Sequence, residues 1–198
     1  MSSFAVTFDY LCPFARIAND LVVRAQQAAA GHEVAFRAFS LTQVHLDEGA
    51  TPVWETDPPP SGVLALRYGL AVRDRFPDSF PAAHLALFDV RHEHGDDLGD
   101  PAVLDAAVAS VGLDPAEVAR AAADADVAKA LAADHTWGAT EHRVFGVPTF
   151  VTDERAVFVR LMRRSPAGEP AVATLDRLLG MIDSWTDLNE FKATRIPR

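Results

Sequence analysis

The 198-residue chain reads as an α/β protein interrupted by a helical block, and three stretches carry that reading. Strand, helix and strand follow one another in the first 40 residues. An alanine-rich, proline-punctuated helical text fills roughly 62 to 143. Two short strand runs and one helix come after Gly146. A strand–helix–strand opening usually makes a right-handed crossover and a parallel pair of strands. With 49% hydrophobic residues the chain can bury a substantial core.

Each element has its own justification. Phe4-Ala5-Val6-Thr7-Phe8 is short, apolar and rich in aromatic and β-branched residues, as in a buried strand. Pro13 marks a helix start, where its missing N–H costs nothing. Phe14, Ile17, Ala18, Leu21, Val22 and Ala25 then line one helical face, with Gly31 as a stop. Val34, Phe36 and Ala38 alternate with polar neighbours in a second strand. Asp57-Pro58-Pro59-Pro60-Ser61-Gly62 continues neither element and reads as a connector.

In the helical block, Asp100-Pro101 and Asp114-Pro115 each place a capping acid before a proline at the first helical position. Asp114 with Glu117 has capping-box spacing, and Gly112 falls where the preceding helix should end. Four or five helices are expected. Thr149–Thr152 and Ala156–Val159 flank Asp153-Glu154-Arg155 as a hairpin. Pro166 to Pro170 reads as a loop. Leu175, Leu178, Leu179, Ile182 and Trp185 form the apolar face of the last helix.

Charge and cysteine usage narrow the function. The 28 acidic and 18 basic residues leave a net charge of −10, which opposes binding to phosphate backbones and to anionic membrane surfaces. No stretch approaches the roughly 20 apolar residues of a membrane span. The N-terminus shows no basic segment followed by an apolar run, so a cytoplasmic, thiol-reducing location is expected. The single cysteine, Cys12, cannot form an internal disulfide. It lies in Phe8-Asp9-Tyr10-Leu11-Cys12-Pro13-Phe14-Ala15, between strand and helix. There the unpaired first-turn N–H groups and the helix dipole favour thiolate, with pKa values of about 3.5 to 7.5 known for such positions.

Cys12-Pro13 at this junction, Phe145-Gly146-Val147-Pro148-Thr149-Phe150 before the hairpin, and the βαβ–helices–ββα order together resemble the thioredoxin-fold family of DsbA-like oxidoreductases. The resemblance implies a thioredoxin-like domain from 1–56 and 144–198 and a helical insertion domain from 57–143. In that family the first cysteine of a C-P-x-C motif is the nucleophile, and a proline after a cis peptide bond faces it. Carried over here, Cys12 is the nucleophile. Pro13, Phe14, Ala15, Val147 and Pro148 face the substrate, and the Val147 backbone is turned outward beside the sulfur. The tail Glu190-Phe191-Lys192-Ala193-Thr194-Arg195 resembles the actinobacterial, mycothiol-dependent-reductase-like branch.

The chain departs from that motif at Ala15, where the family carries its second cysteine. The expected activity is therefore monothiol thiol–disulfide exchange, with mycothiol or glutathione as resolving cosubstrate and no tightly bound cofactor. Small thiols or disulfides, and protein disulfides, are the expected partners, and a homodimer is compatible with the resemblance. Two other readings stand beside it: a thiol-dependent transferase or isomerase of the same fold, and a redox-inactive binding protein.

Other residues admit more than one role. Asp9 is a proton carrier for Cys12, a helix cap or a solvated acid. His92 and His94, at i and i+2, share no helical face, and His92-Glu93-His94-Gly95-Asp96-Asp97 reads as a solvated loop closing a helix rather than a metal site. His135 and His142, seven apart, share a face of the last inserted helix and read as helix surface or as looking toward the site. Trp54 and Trp137 are core packing or cleft walls.

Overall fold

The computed structural model describes residues 2–28, 30–153, 155–190 and 192–193. Within the hairpin turn Glu154 lies outside the described residues, as do Phe191, Thr194 and Arg195 of the tail singled out above.

Four strands form one sheet: β1 (Ser3–Phe8), β2 (Glu33–Ala38), β3 (Thr149–Val151) and β4 (Ala156–Phe158), in the order β2-β1-β3-β4. β1 pairs in parallel with β2, Val6 opposite Phe36, and antiparallel with β3, Val6 opposite Phe150. β3 and β4 form the antiparallel hairpin. β1 is buried from Phe4 to Phe8, as its unbroken apolar run requires of a central strand covered on both faces.

Helix α1 (Pro13–Gln27) follows β1 directly and packs on α8 (Glu169–Ser184). Between β2 and β3 run a one-turn helix α2 (Leu41–Val44), a 3-10 turn at Val53–Glu55, and five longer helices. These are α3 (Ser61–Arg75), α4 (Phe80–His92), α5 (Pro101–Ala109), α6 (Pro115–Ala122) and α7 (Ala125–Thr136). The capping acids act as their positions suggest. Asp100 accepts from the Ala102 N–H and Asp114 from the Ala116 N–H, each at 2.9 Å.

Two glycines seat the turn after β1. Gly62 and Gly69 lie seven apart on α3, where Leu11 and Tyr10 press against them. A β-carbon at Gly69 would lie 2.3 Å from the Tyr10 hydroxyl, and one at Gly62 would lie 2.5 Å from Leu11 Cδ1.

Two expectations need correction. α8 begins at Glu169 and takes Pro170 into its first turn, where a missing N–H is no loss, so the loop is shorter than Pro166–Pro170. Trp185 sits past the helix end and is half-exposed, off the apolar face of Leu175, Leu179 and Ile182. The short helix α2 is held by its cap, Ser40 Oγ accepting from the Gln43 N–H at 3.2 Å, rather than by an apolar period.

Candidate active site

Cys12 is the N-cap of α1, in extended conformation, and its own N–H donates to the Asp9 carbonyl at 3.0 Å. Its sulfur accepts from the Ala15 N–H at 3.4 Å. Its S–H donates to the Val147 carbonyl, also at 3.4 Å, across 135 residues of sequence. Pro13 is exposed at the first turn and Phe14 is half-buried.

Ala15 corrects an expectation. It is fully buried and offers a substrate no side-chain surface; its amide is the part that reaches the sulfur.

The thiol corrects another. Burial pushes the Cys12 thiol above its ordinary value, because the sulfur is removed from water and Cys12 is only 8% exposed. The Ala15 and Phe14 amides and the Arg160 charge oppose that shift without overcoming it, and the Asp9 charge adds to it. The Val147 carbonyl works in the same direction as burial, since it accepts from the neutral thiol and offers nothing to a thiolate.

Opposite Cys12, the Val147–Pro148 peptide is cis, and both residues are buried. Two threonines anchor this turn to the sheet. The Thr149 N–H donates to Thr7 Oγ1 at 2.8 Å, and the Thr149 hydroxyl donates to the Gly146 carbonyl at 2.7 Å. The Val147 carbonyl therefore points at the sulfur rather than outward.

Asp9 is completely buried, which rules out the solvated reading, and the cap of α1 is Cys12 itself. One Asp9 carboxylate oxygen accepts from the Leu11 N–H at 2.9 Å and the other from the Leu41 N–H at 2.7 Å. Asp9 thus ties the turn before Cys12 to the start of α2. Desolvation raises its pKa from 3.8 to about 6 despite those two amides.

A buried polar chain runs beneath the first turn of α1. The Asn19 amide donates to the Ala15 carbonyl at 2.9 Å, so its oxygen is left as an acceptor. His84 Nε2–H donates to that oxygen at 3.1 Å, and His84 Nδ1 accepts from the Tyr10 hydroxyl at 2.9 Å. Burial lowers the His84 pKa to about 3, which keeps the ring neutral, and the accepting Asn19 oxygen sets this tautomer. The sequence carries no sign of this chain, for none of its members recurs with a helical or strand period.

The histidines meet expectation in part. His92 closes α4 and the exposed loop 93–97 follows it, but the His92 ring is half-buried and donates from Nε2 to the Tyr10 carbonyl at 2.9 Å. His135 is buried, stacks on Phe39 with centroids 4.4 Å apart, and accepts from the Ser40 N–H at 3.2 Å. Its pKa falls to about 4 through desolvation. His142 packs instead on Trp137, centroids 4.3 Å apart, because the wide π turn at Trp137–Glu141 breaks the register that a spacing of seven would keep. Trp54 lies 5.5 Å from the His135 ring, and Trp137 carries the Arg37 guanidinium at 5.0 Å. No group of three or more His, Cys, Asp or Glu poised for a metal occurs among the described residues.

The rim beside Cys12 is aromatic. The Arg160 guanidinium lies 4.4 Å over the Phe14 ring and 5.8 Å from the Phe158 ring. Phe158 in turn meets Phe145, which is 72% exposed, with centroids 5.4 Å apart.

A four-stranded mixed sheet with its first helix starting at the cysteine and a proline-led hairpin facing it defines a thioredoxin-like protein. The chain belongs to the DSBA-like thioredoxin domain family, which residues 5–163 match. It is 28% identical over 186 residues to the protein Rv2286c of Mycobacterium tuberculosis, spanning 91% of this chain and 77% of that one. In structure it is similar to the cytosolic disulfide reductase DsbM of Pseudomonas aeruginosa with GSH (TM-score 0.62, 16% identity), covering 89% of this chain and 98% of that one. It is also similar to 2-hydroxychromene-2-carboxylate isomerase (TM-score 0.61, 16% identity), covering 93% and 98%. At such identities the structural likeness is one of fold.

Proposed function

We propose that this protein is a monothiol thiol–disulfide oxidoreductase in which Cys12 acts alone and a low-molecular-weight thiol, mycothiol or glutathione, resolves the intermediate. The observation that carries the reading is the Cys12 sulfur itself, held 3.4 Å from the first-turn Ala15 amide and 3.4 Å from Val147. Membership of a family of DsbA-like domains supports it.

In the first half-reaction Cys12 loses its proton to solvent and its sulfur attacks one sulfur of a disulfide. A Cys12 mixed disulfide forms as the other sulfur leaves and is protonated. In the second, the cosubstrate thiol attacks the mixed disulfide, a new disulfide leaves, and the Cys12 thiol is restored. The second step falls to an external thiol because the chain has no other cysteine. Pro13 and Phe14 supply apolar surface, and the Val147–Pro148 turn bounds the site opposite. Small and protein disulfides in a reducing, cytoplasmic compartment are the proposed substrates, and the mycobacterial relative supports an actinobacterial source for the thiol.

The test is thiol-dependent reduction of a glutathione or mycothiol mixed disulfide. Wild type is expected to turn over and Cys12→Ser to lose turnover; equal rates in the two would overturn the proposal. One observation favours a second reading. Burial holds Cys12 as a thiol, which suits a site that binds a small thiol for transfer or isomerisation more than one that cycles. In that case turnover proceeds with no covalent Cys12 adduct visible by mass spectrometry.

A further inference from the structure

The aromatic rim of the site holds a positive charge, Arg160, whose effect described so far is only on the Cys12 thiol. Arg160 lies two residues beyond the end of β4, is exposed, and sits over the ring of Phe14, two residues after Cys12. The Phe158 ring lies 5.8 Å from it. Two of the nearby arginines are held by carboxylates. Arg16 is paired with Asp89 and Glu93, and Arg164 with Asp20, whereas Arg160 makes no ion pair among the described residues. A guanidinium stacked on an aromatic face keeps its in-plane N–H groups free for a carboxylate. The first turn of α1 contributes no acidic side chain to oppose such a ligand. Asp9, the acidic group acting on Cys12, is completely buried.

We propose that Arg160, held on Phe14, is a specificity residue that selects disulfides and thiols carrying a carboxylate close to the reacting sulfur. The inference rests on Cys12 being the nucleophile. On a chain of net charge −10 the general acidic surface repels anionic substrates, and a cation at the rim opposes that repulsion locally. Arg160 is also close enough for its charge to favour the Cys12 thiolate, so the same group would both attract the substrate and help ionise the attacking sulfur. An uncharged thiol such as mycothiol gains only the second effect, so of the two proposed cosubstrates this assignment favours glutathione.

The experiment uses the full chain and three symmetric small disulfides: dithiodipropionate (anionic), hydroxyethyl disulfide (neutral) and cystamine (cationic). Each converts Cys12–SH and R–S–S–R to Cys12–S–S–R and R–SH. Rates of adduct formation are read by intact mass and divided by those of a cysteine peptide under the same conditions. At low salt the wild type is expected to favour the anionic over the neutral disulfide by about fivefold, and the neutral over the cationic by a similar factor, as one unit charge at a few ångströms in water allows. Salt at about 0.5 M should collapse the ranking. Arg160→Met should bring the three ratios together, and Arg160→Glu should invert them. A wild-type ranking that survives unchanged in both variants, or no ranking in wild type, overturns the assignment of Arg160. No adduct with any of the three, while the peptide reacts, instead removes Cys12 as the nucleophile.

Discussion

Asp9 couples the pH of the solution to the stability of the turn that carries Cys12, and the size of the coupling follows from its burial. The carboxyl is fully buried, and its pKa rises from 3.8 to about 6 on folding. At about 1.4 kcal/mol per pH unit, that rise is worth about 3 kcal/mol. The sign follows from which state binds the proton. Below 3.8 the group is protonated folded and unfolded, and its contribution is complete. Between 3.8 and about 6 the unfolded chain ionises while the folded one resists, so stability falls as pH rises; above about 6 the loss is complete. Asp9→Asn cannot titrate, so it isolates the effect from every other group.

The assay is urea unfolding of wild type and Asp9→Asn at several pH values from 3.5 to 7, followed by the fluorescence of the three tryptophans. The stability of wild type minus that of the variant should decrease by about 3 kcal/mol over this range. A flat difference would show that Asp9 is no harder to ionise folded than free. A rising one would show that the Leu11 and Leu41 amides outweigh desolvation. The variant should also alkylate faster at Cys12 at neutral pH, since the Asp9 charge is one of the causes that raise its thiol.

Gly69→Ala should destabilise the fold by about 2 kcal/mol or more in thermal or urea unfolding. Its methyl displaces a buried Tyr10 ring and disturbs the hydroxyl bond to His84, against a helix-propensity gain of at most about 1 kcal/mol. Gly62→Ala, which meets only the Leu11 side chain, should cost less; the reverse ranking would contradict the packing described. Tyr10→Phe should lower stability by about 1–3 kcal/mol by leaving His84 Nδ1 buried without a donor, and an unchanged urea midpoint would show that the bond carries no weight. Asp134→Ala removes a buried acceptor of Arg37, Arg73 and the Ala38 N–H. It should cost about 3 kcal/mol, read as a fall in melting temperature of about 6–12 °C.

What could be read from the chain was what repeats or punctuates. The period of α1, the Asp-Pro pairs that open α5 and α6, and Gly112 after α5 are local signals, and each lies where a local rule puts it. Cys12 at a helix start was legible for the same reason. Its ionisation was not, because the sign depends on burial against helix-end amides, and burial is a property of the packed chain. The meeting of Cys12 with Val147 across 135 residues came from a family likeness rather than from any spacing. The Asp9–Leu41 bond and the Tyr10–His84–Asn19 chain join single residues on different elements, and single long-range polar pairs leave no periodic trace. His135 and His142 show the converse, since a π turn between them undoes a spacing that regular helix geometry would make meaningful.

The central claim, that Cys12 exchanges with disulfides and lacks an internal partner to finish the reaction, is tested most directly by intact mass after exposure to oxidised glutathione at mildly alkaline pH. The account predicts one glutathione per chain, retained after excess disulfide is removed and released when a small thiol is added. A chain that stays unmodified while a cysteine peptide reacts alongside it would contradict the account.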